Sequence, residues 1–159
     1  MMVVLTNAQR ECPVNTALMA RVARRAVRTL RIRTPGTLAV TFIGSRKMRA
    51  LNKRFLRHDR MTDVLSFRYD TAKGYGLGAR GNYPQPPALS PQPIVGEILI
   101  APRAARAYAK QHDIPYAEEL ARYVVHGLLH WLGHEDRTLS EQRAMRSRED
   151  RLLSRCGVA

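Results

Sequence analysis

Cysteine is scarce in this sequence, with only Cys12 and Cys156 among 159 residues. The two lie near opposite ends of the chain and form no C-x-x-C pair, which argues against a disulfide framework and against a thiolate metal site. They indicate two ordinary thiols in a reducing compartment. A chain of this length buries most of its apolar surface without disulfides or a structural metal ion. We therefore expect one domain over residues 1–159.

Long apolar runs are also missing. No stretch approaches the roughly 20 apolar residues that a membrane-spanning helix needs. The first residues, M-M-V-V-L-T-N, lack a basic leader, and their apolar run is too short for a signal peptide. We therefore expect a cytoplasmic protein without a membrane partner.

Acidic residues and lysine are few. The sequence has 27 Lys and Arg residues against 13 Asp and Glu residues, for a net charge of +14, and only four of the 27 are lysines. A folded protein this basic attracts polyanions, and the planar fork of arginine suits phosphate. A GC-rich genome would explain arginine in place of lysine but not the excess over acid. The composition favours nucleic acid over anionic membrane, since no segment sets a strongly apolar face against its charges.

Hydrophobic periodicity and turn residues predict an alternation of short strands and helices. We expect strands at 2–5, 37–43, 64–67 and 94–101, helices at 13–33, 45–55, 102–112 and 115–132, and a last helix capped by Ser140. Residues 70–93, which hold four glycines, four prolines before Pro93 and little apolar periodicity, are predicted to form a flexible surface loop within the domain.

The first predicted helix is amphipathic. Its basic residues follow helical spacing opposite an apolar face: Arg21, Arg24, Arg25, Arg28 and Arg31. A solvated surface is the ordinary interpretation of such a stripe, and contact with a nucleic-acid backbone is the alternative.

Three of the five histidines, His126, His130 and His134, fall within nine residues. On a helix His126 and His130 lie on one face, one turn apart, where both imidazoles can reach one ion at bond lengths of about 2 Å. Gly133 is expected to end that helix and turn the chain back over the histidines, which brings Asp136 to the site. The pattern predicts a metal site, with two polar-face histidines on a surface helix as the alternative.

The spacing His-x3-His-x2-Gly-x2-Asp is that of metzincin peptidases, which place their general base, a glutamate, directly after the first histidine. Here that position is Gly127, and Glu135 follows the helix and cannot take its place. A peptidase without this base loses the proton transfer on which water attack depends. Phosphodiester hydrolysis depends less on such a base, because a metal ion lowers the pKa of water and stabilises charge on phosphorus oxygens.

The motif H-G-L-L-H-W-L-G-H-E-D, which begins at His126, resembles the hallmark H-G-x-L-H-x-x-G-[Y/H]-D-H of the YbeY endoribonucleases. Other blocks resemble that family in the same order: L-N-K-R-F-L-R-H-D-R-M-T-D-V-L-S-F at 51–67, V-G-E-I-L-I-A at 95–101, and E-E-L-A-R-Y-V-V before the histidines. The resemblance covers residues 37 to 155 approximately.

The resemblance implies a zincin-like α+β fold, with a small mixed four-stranded sheet packed with about five α-helices, and one zinc ion. It implies a single-strand-specific endoribonuclease that acts in 16S rRNA 3′-end maturation, rRNA processing and ribosome quality control. Ribosomal RNA and the small ribosomal subunit are the implied partners. A non-catalytic module that binds RNA or the ribosome is the alternative.

The sequence departs from the family at the third metal ligand, which is usually histidine and here is Asp136. A carboxylate is a competent zinc ligand, but its negative charge should lower the Lewis acidity of the ion. His134 is the alternative third ligand, and it would need the helix to continue through Gly133.

A second departure lies in the loop before Val64. The family often has a phosphate-contacting arginine at the position of Leu56, and here Arg57 stands beside it. The resemblance places this loop by the site, where Arg57 could neutralise charge on the phosphate and His58 could donate a proton to the leaving oxygen. The alternative is a loop whose charges keep it solvated. Asp63 and Ser66 are candidates for a role at the site. The alternative is that they only stabilise a turn and line a strand.

Overall fold

The computed structural model describes residues 1–56, 62–69 and 92–158. The elements in these residues are β1 (Met2–Asn7), α1 (Thr16–Thr29), β2 (Thr37–Phe42), α2 (Ser45–Leu56), β3 (Val64–Arg68), β4 (Ile94–Ile100), α3 (Pro102–Gln111), α4 (Tyr116–Trp131) and α5 (Leu139–Cys156). The α+β class and the number of strands and helices predicted from the sequence are confirmed. Arg57, His58 and residues 70–91 of the predicted loop lie outside the described residues.

The four strands form one mixed sheet in the order β1-β2-β4-β3. β1, β2 and β4 run parallel, and β3 runs antiparallel to β4. β1 is an edge strand, as its short apolar run predicts. β4 is central, and its residues 95–100 are all buried, which explains why its sequence is apolar without the alternation of a half-exposed strand.

The two faces of the sheet carry separate hydrophobic clusters. On one face α1 and α4 pack against the sheet and α5 packs against both helices. The larger cluster includes Val22, Val40, Ile98, Leu128 and Leu153. On the other face α2 inserts Met48 among Ile43, Leu65, Leu99 and Ala101. The histidine motif therefore lies on a helix that contacts the sheet and three further helices, α1, α3 and α5.

The first helix is shorter than its periodicity predicts. Asn15 caps its start, with its side-chain oxygen accepting a hydrogen bond from the Leu18 N–H at 3.0 Å, so α1 begins at Thr16 and not at Pro13. The helix ends at Thr29, and Arg31 follows in the left-handed region with φ of 52°. A non-glycine residue in that conformation is uncommon, which is why the sequence predicted the helix to continue to Arg33.

The cap predicted for the last helix is wrong by two residues. Thr138 caps α5: its hydroxyl accepts a hydrogen bond from the Glu141 N–H at 3.2 Å, and the Glu141 carboxylate accepts one from the Thr138 N–H at 2.9 Å. This reciprocal pair is a capping box, and it satisfies two helix-end donors where Ser140 would satisfy one.

Both cysteines are buried free thiols. Within residues 1–56, 62–69 and 92–158, no helix combines the length and the apolar character needed to cross a bilayer.

Candidate metal centre

Two glycines bring α4 unusually close to the sheet. A Cβ at Gly127 would clash with Ile98 Cγ2 and would lie 2.9 Å from Val64 Cγ1, and a Cβ at Gly96 would clash with the indole of Trp131. The Ser66 hydroxyl also donates a hydrogen bond to the Gly127 carbonyl at 2.8 Å. The position of the peptidase glutamate is therefore filled by the sheet.

Gly133 turns the chain directly after α4, as the sequence predicts. Its φ of 95° is one that glycine adopts readily. Its N–H donates to the His130 carbonyl at 2.9 Å, and the next N–H, of His134, donates to the Leu129 carbonyl at 3.0 Å. The turn satisfies carbonyls at the helix end and returns Asp136 to the histidine face.

Three side-chain atoms converge at this point. His126 Nε2 and His130 Nε2 are 2.9 Å apart, and Asp136 Oδ2 lies 3.7 Å from each of them. The donors of a tetrahedral zinc site with bonds of about 2.1 Å are roughly 3.4 Å apart, and the observed separations lie on both sides of that value. Two imidazole nitrogens and a carboxylate oxygen with this spacing fit a divalent metal ion.

His134, the alternative third ligand, is not part of this group. It follows the glycine turn, so it does not continue the helical spacing of His126 and His130. Burial, together with the nearby positive charges of Arg148 and His130, lowers the pKa of His134.

Glu149 of α5 supports the first histidine. Its Oε1 lies 2.8 Å from His126 Nδ1, and an Nδ1–H that donates to this carboxylate leaves Nε2 with a free lone pair toward Asp136 and His130. Burial alone would lower the pKa of His126, but the hydrogen bond to Glu149 and the charges of Glu149, Asp63 and Asp136 outweigh it and raise the pKa. A carboxylate behind a ligating histidine is a common feature of zinc sites.

Arg122 balances the charge of Glu149 inside the protein. Its Nη1 lies 3.2 Å from Glu149 Oε2 and 2.6 Å from Asp150 Oδ1, while its Nε is 3.7 Å from Glu119 Oε2. Glu119 is buried, its Oε2 has no hydrogen-bond partner, and burial raises its pKa. One guanidinium faces three carboxylates and cannot neutralise all of them. Glu119, which has no hydrogen bond to Arg122, is therefore the carboxyl group best placed to hold a proton.

A cavity of about 240 Å³ lies beside the three converging atoms. His126, Asp136 and Glu149 line it together with Asp63, whose Oδ1 accepts hydrogen bonds from the Val64 N–H at 2.9 Å and the Thr62 hydroxyl at 3.3 Å. The side chains of His126 and Asp136 remain 16% and 38% exposed. The group is therefore open to a water molecule or a substrate.

A sequence model of the family described as Endoribonuclease YbeY matches residues 4–157. The chain belongs to the YbeY family. Relatives named Endoribonuclease YbeY include that of Flavobacterium psychrophilum, 31% identical over 121 residues, 76% of this chain and 73% of that protein. That of Thermodesulfovibrio yellowstonii is 34% identical over 118 residues, 74% of this chain and 65% of that protein. That of Anaeromyxobacter sp. is 32% identical over 145 residues, 85% of this chain and 67% of that protein.

The solution structure of TM1509 from Thermotoga maritima is similar to this chain, with a TM-score of 0.59 at 18% identity over 98% of this chain and 89% of that one. At this identity the similarity concerns the fold alone. The resemblance to the YbeY family read from the sequence motifs is confirmed by the family match. The roles of single residues stay predictions.

Sequence reasoning found the three converging side chains and missed their support. Glu149 lies 23 residues beyond His126, and no local motif connects the two. One signal was available, because Glu149 occupies the inner face of α5 between Met145 and Leu152, where a charged residue needs a buried partner.

Proposed function

We propose that this chain is a zinc-dependent endoribonuclease that cleaves single-stranded RNA. The proposed roles are 16S rRNA 3′-end maturation, rRNA processing and ribosome quality control. The observation that carries the proposal is the convergence of His126 Nε2, His130 Nε2 and Asp136 Oδ2 in a chain of the YbeY family, whose relatives bear the name endoribonuclease. The net charge of +14 suits an RNA substrate.

Zinc suits this donor set better than magnesium or calcium, which take oxygen ligands almost exclusively. His126, His130 and Asp136 would hold the ion and leave one position open. A zinc ion there would polarise a phosphoryl oxygen and lower the pKa of a bound water molecule.

The chain supplies candidate groups for proton transfer. Asp63 lines the same cavity as His126 and Asp136. Its Oδ1 accepts the hydrogen bonds from the Val64 N–H and the Thr62 hydroxyl, so we assign Oδ2 as the oxygen that accepts a proton from water. Arg57 and His58, which precede it in the sequence, are proposed to neutralise the phosphate and to protonate the leaving oxygen.

The packing of α4 argues against a peptidase. A glutamate at position 127 has no space, because Ile98 and Val64 occupy the volume that its Cβ would need. An RNA-binding module without catalysis explains the charge, but it gives no role to the three converging side chains.

The test is cleavage of single-stranded RNA by the purified, zinc-loaded protein, with His126→Ala as the inactive control. We expect Arg57→Ala to keep its zinc and its fold and to slow cleavage about a hundredfold, as for loss of one charge-stabilising donor. Removal of His58 should have a smaller effect, because solvent can supply a proton. Asp63→Asn should slow cleavage by at least about a hundredfold with zinc retained.

A contaminating ribonuclease would be insensitive to all of these substitutions. Loss of cleavage in the variants therefore shows that the cleavage comes from this protein. RNA binding without cleavage, unchanged by chelation of the metal, would replace this proposal with the non-catalytic module. If the Arg57 variant cleaves RNA at the wild-type rate while the His126 variant is inactive, the loop before Val64 has no role in catalysis.

A further inference from the structure

One face of α1 consists of arginines. The α1 arginine face comprises Arg21, Arg24, Arg25 and Arg28, all exposed. The opposite face of the helix is buried in the main core through residues such as Val22 and Ala26, neither of which has any exposed surface. The four guanidinium groups are therefore held on a fixed helix and are directed away from the core.

Within the described part of the chain, these charges have no acidic counterpart. The sequence contains no Asp or Glu between Glu11 and Asp59, and none of the four arginines forms an ion pair with any residue that the structure describes. Spacings of three and four residues make each arginine a neighbour of two others, and like charges at these spacings destabilise a helix. α5 also carries five arginines, but three acidic residues lie among them, whereas α1 has none.

We propose that the α1 arginine face binds the phosphate backbone of RNA, outside the cleavage site. The inference rests on the proposed function for the identity of the polyanion. Arginine forks match phosphate oxygens. α1 has no aromatic or amide side chain with which to stack on or read a base. Contacts to phosphate carry no sequence information, so binding through them should depend little on sequence. The face spans about 10 Å of helix from Arg21 to Arg28.

An anionic membrane is the competing partner for a basic helix. A helix that lies on a membrane must insert its apolar face among the lipid chains. The apolar face of α1 is instead packed against β1, α4 and α5. Only the charges are available, and they favour a hydrophilic polyanion.

The position of α1 relates the arginine face to the candidate metal centre. α1 packs against α4, which carries His126 and His130, and against α5, which carries Glu149. Arg25 is close enough to α5 for its charge to act on the Cys156 thiol. We expect a single RNA strand that follows this layer of helices to contact both the arginine face and the cavity.

The experiment measures RNA affinity against salt concentration with a long single-stranded RNA, in a His126→Ala background that prevents cleavage. The test variant carries Arg21→Gln, Arg24→Gln, Arg25→Gln and Arg28→Gln. The matched control removes the same charge from other exposed positions, Arg106→Gln, Lys110→Gln, Arg143→Gln and Arg151→Gln. Each phosphate contact with a single strand adds about −0.7 to the slope of log K against log salt.

We expect the test variant to lose about 2 units of slope, equivalent to about three contacts, and the control to lose less than one contact. Gln is a good helix former, so the thermal midpoint should not fall. An Arg→Lys version of the four positions should keep most of the slope and thus separate charge loss from a folding defect. Equal slopes for wild type, test variant and control would overturn the proposal.

Two further results have defined meanings. If the test variant loses binding to phosphatidylserine vesicles and keeps its RNA slope, the face is a membrane surface and the proposal is overturned. If the protein with an intact His126 fails to cleave RNA while the α1 variant still shows reduced RNA binding, the cleavage function fails and the arginine face stands. If the protein cleaves RNA and the α1 variant keeps the salt slope of the wild type, the cleavage function stands and the arginine-face proposal is overturned.

Discussion

At the scale of single residues, Asp136 occupies the position at which the family motif has histidine. Its Oδ2 is equidistant from the two histidine nitrogens at 3.7 Å, which supports it as the third ligand. We expect His126→Ala and Asp136→Ala to lose zinc and His134→Ala to retain it, as measured by elemental analysis of purified protein. Loss of zinc in the His134 variant with retention in the Asp136 variant would reverse the assignment.

Glu149 and Glu119 are both buried carboxyl groups that face Arg122, but only Glu149 touches a proposed ligand. Glu149→Gln is expected to weaken zinc binding by roughly 10- to 100-fold, because an amide holds the His126 Nδ1–H less strongly than a carboxylate does. Glu119→Gln is the matched control and should bind zinc like the wild type. The measurement is competition with a chelator of known affinity; equal affinities in both variants would deny Glu149 its supporting role.

Glu119 should also leave a signature in stability. Burial raises its pKa above the ordinary 4.5, so its protonated form is stabilised by the fold. That stabilisation is complete below pH 4.5 and is lost as pH rises through the raised pKa. The free energy of unfolding should therefore fall with rising pH in the wild type relative to Glu119→Gln. Denaturant titrations from pH 5 to 8 test this, and parallel curves for the two proteins would contradict it.

At the scale of elements, the contact of α4 with the sheet depends on Gly127. Alanine there places a methyl group against Ile98 and Val64. Overpacking of this kind costs about 1–3 kcal/mol, and the better helix propensity of alanine offsets roughly 1 kcal/mol of it. We expect Gly127→Ala to lower the free energy of unfolding, and the loss to shrink in a background of Ile98→Ala. An equal loss in both backgrounds would show that the steric contact is not the cause.

The elements were predictable where local chemistry determines them. The β-branched run at 37–42, the prolines that open α3 and α4, and the apolar 94–100 each gave an element close to its observed bounds. The ends of α1 were harder, because Asn15 caps the helix two residues after a proline and Arg31 ends it without a glycine. At α5 the predicted cap, Ser140, lies two residues after the observed cap, because the reciprocal bond to Glu141 favours Thr138.

The site was predictable to the extent that it is local in sequence. His126, His130 and Asp136 fall within one helix end and one glycine turn, so helical geometry brings them together. Glu149 and Arg122 meet only because α5 packs on α4. No periodicity in either helix specifies that contact.

At the scale of the whole molecule, charge is the dominant property. A net charge of +14 implies several phosphate contacts, and each adds about −0.7 to the salt slope for single-stranded RNA. We expect RNA affinity of the intact protein to fall steeply with salt in a filter-binding or fluorescence titration. A slope of log K against log salt near zero would show that the positive charge does not serve to bind RNA. This conclusion would hold whether or not the protein binds zinc.

The placement of Asp136 between α4 and α5 has a consequence for the order of events during synthesis. A ribosome that has completed α4 has added two of the three converging side chains to the chain, but not Asp136, and it adds Glu149 13 residues later still. The centre cannot close earlier, because Asp136 supplies its third converging atom and Glu149 contacts His126. The proposed metal centre is therefore complete only after α5 has been made and has packed against α4.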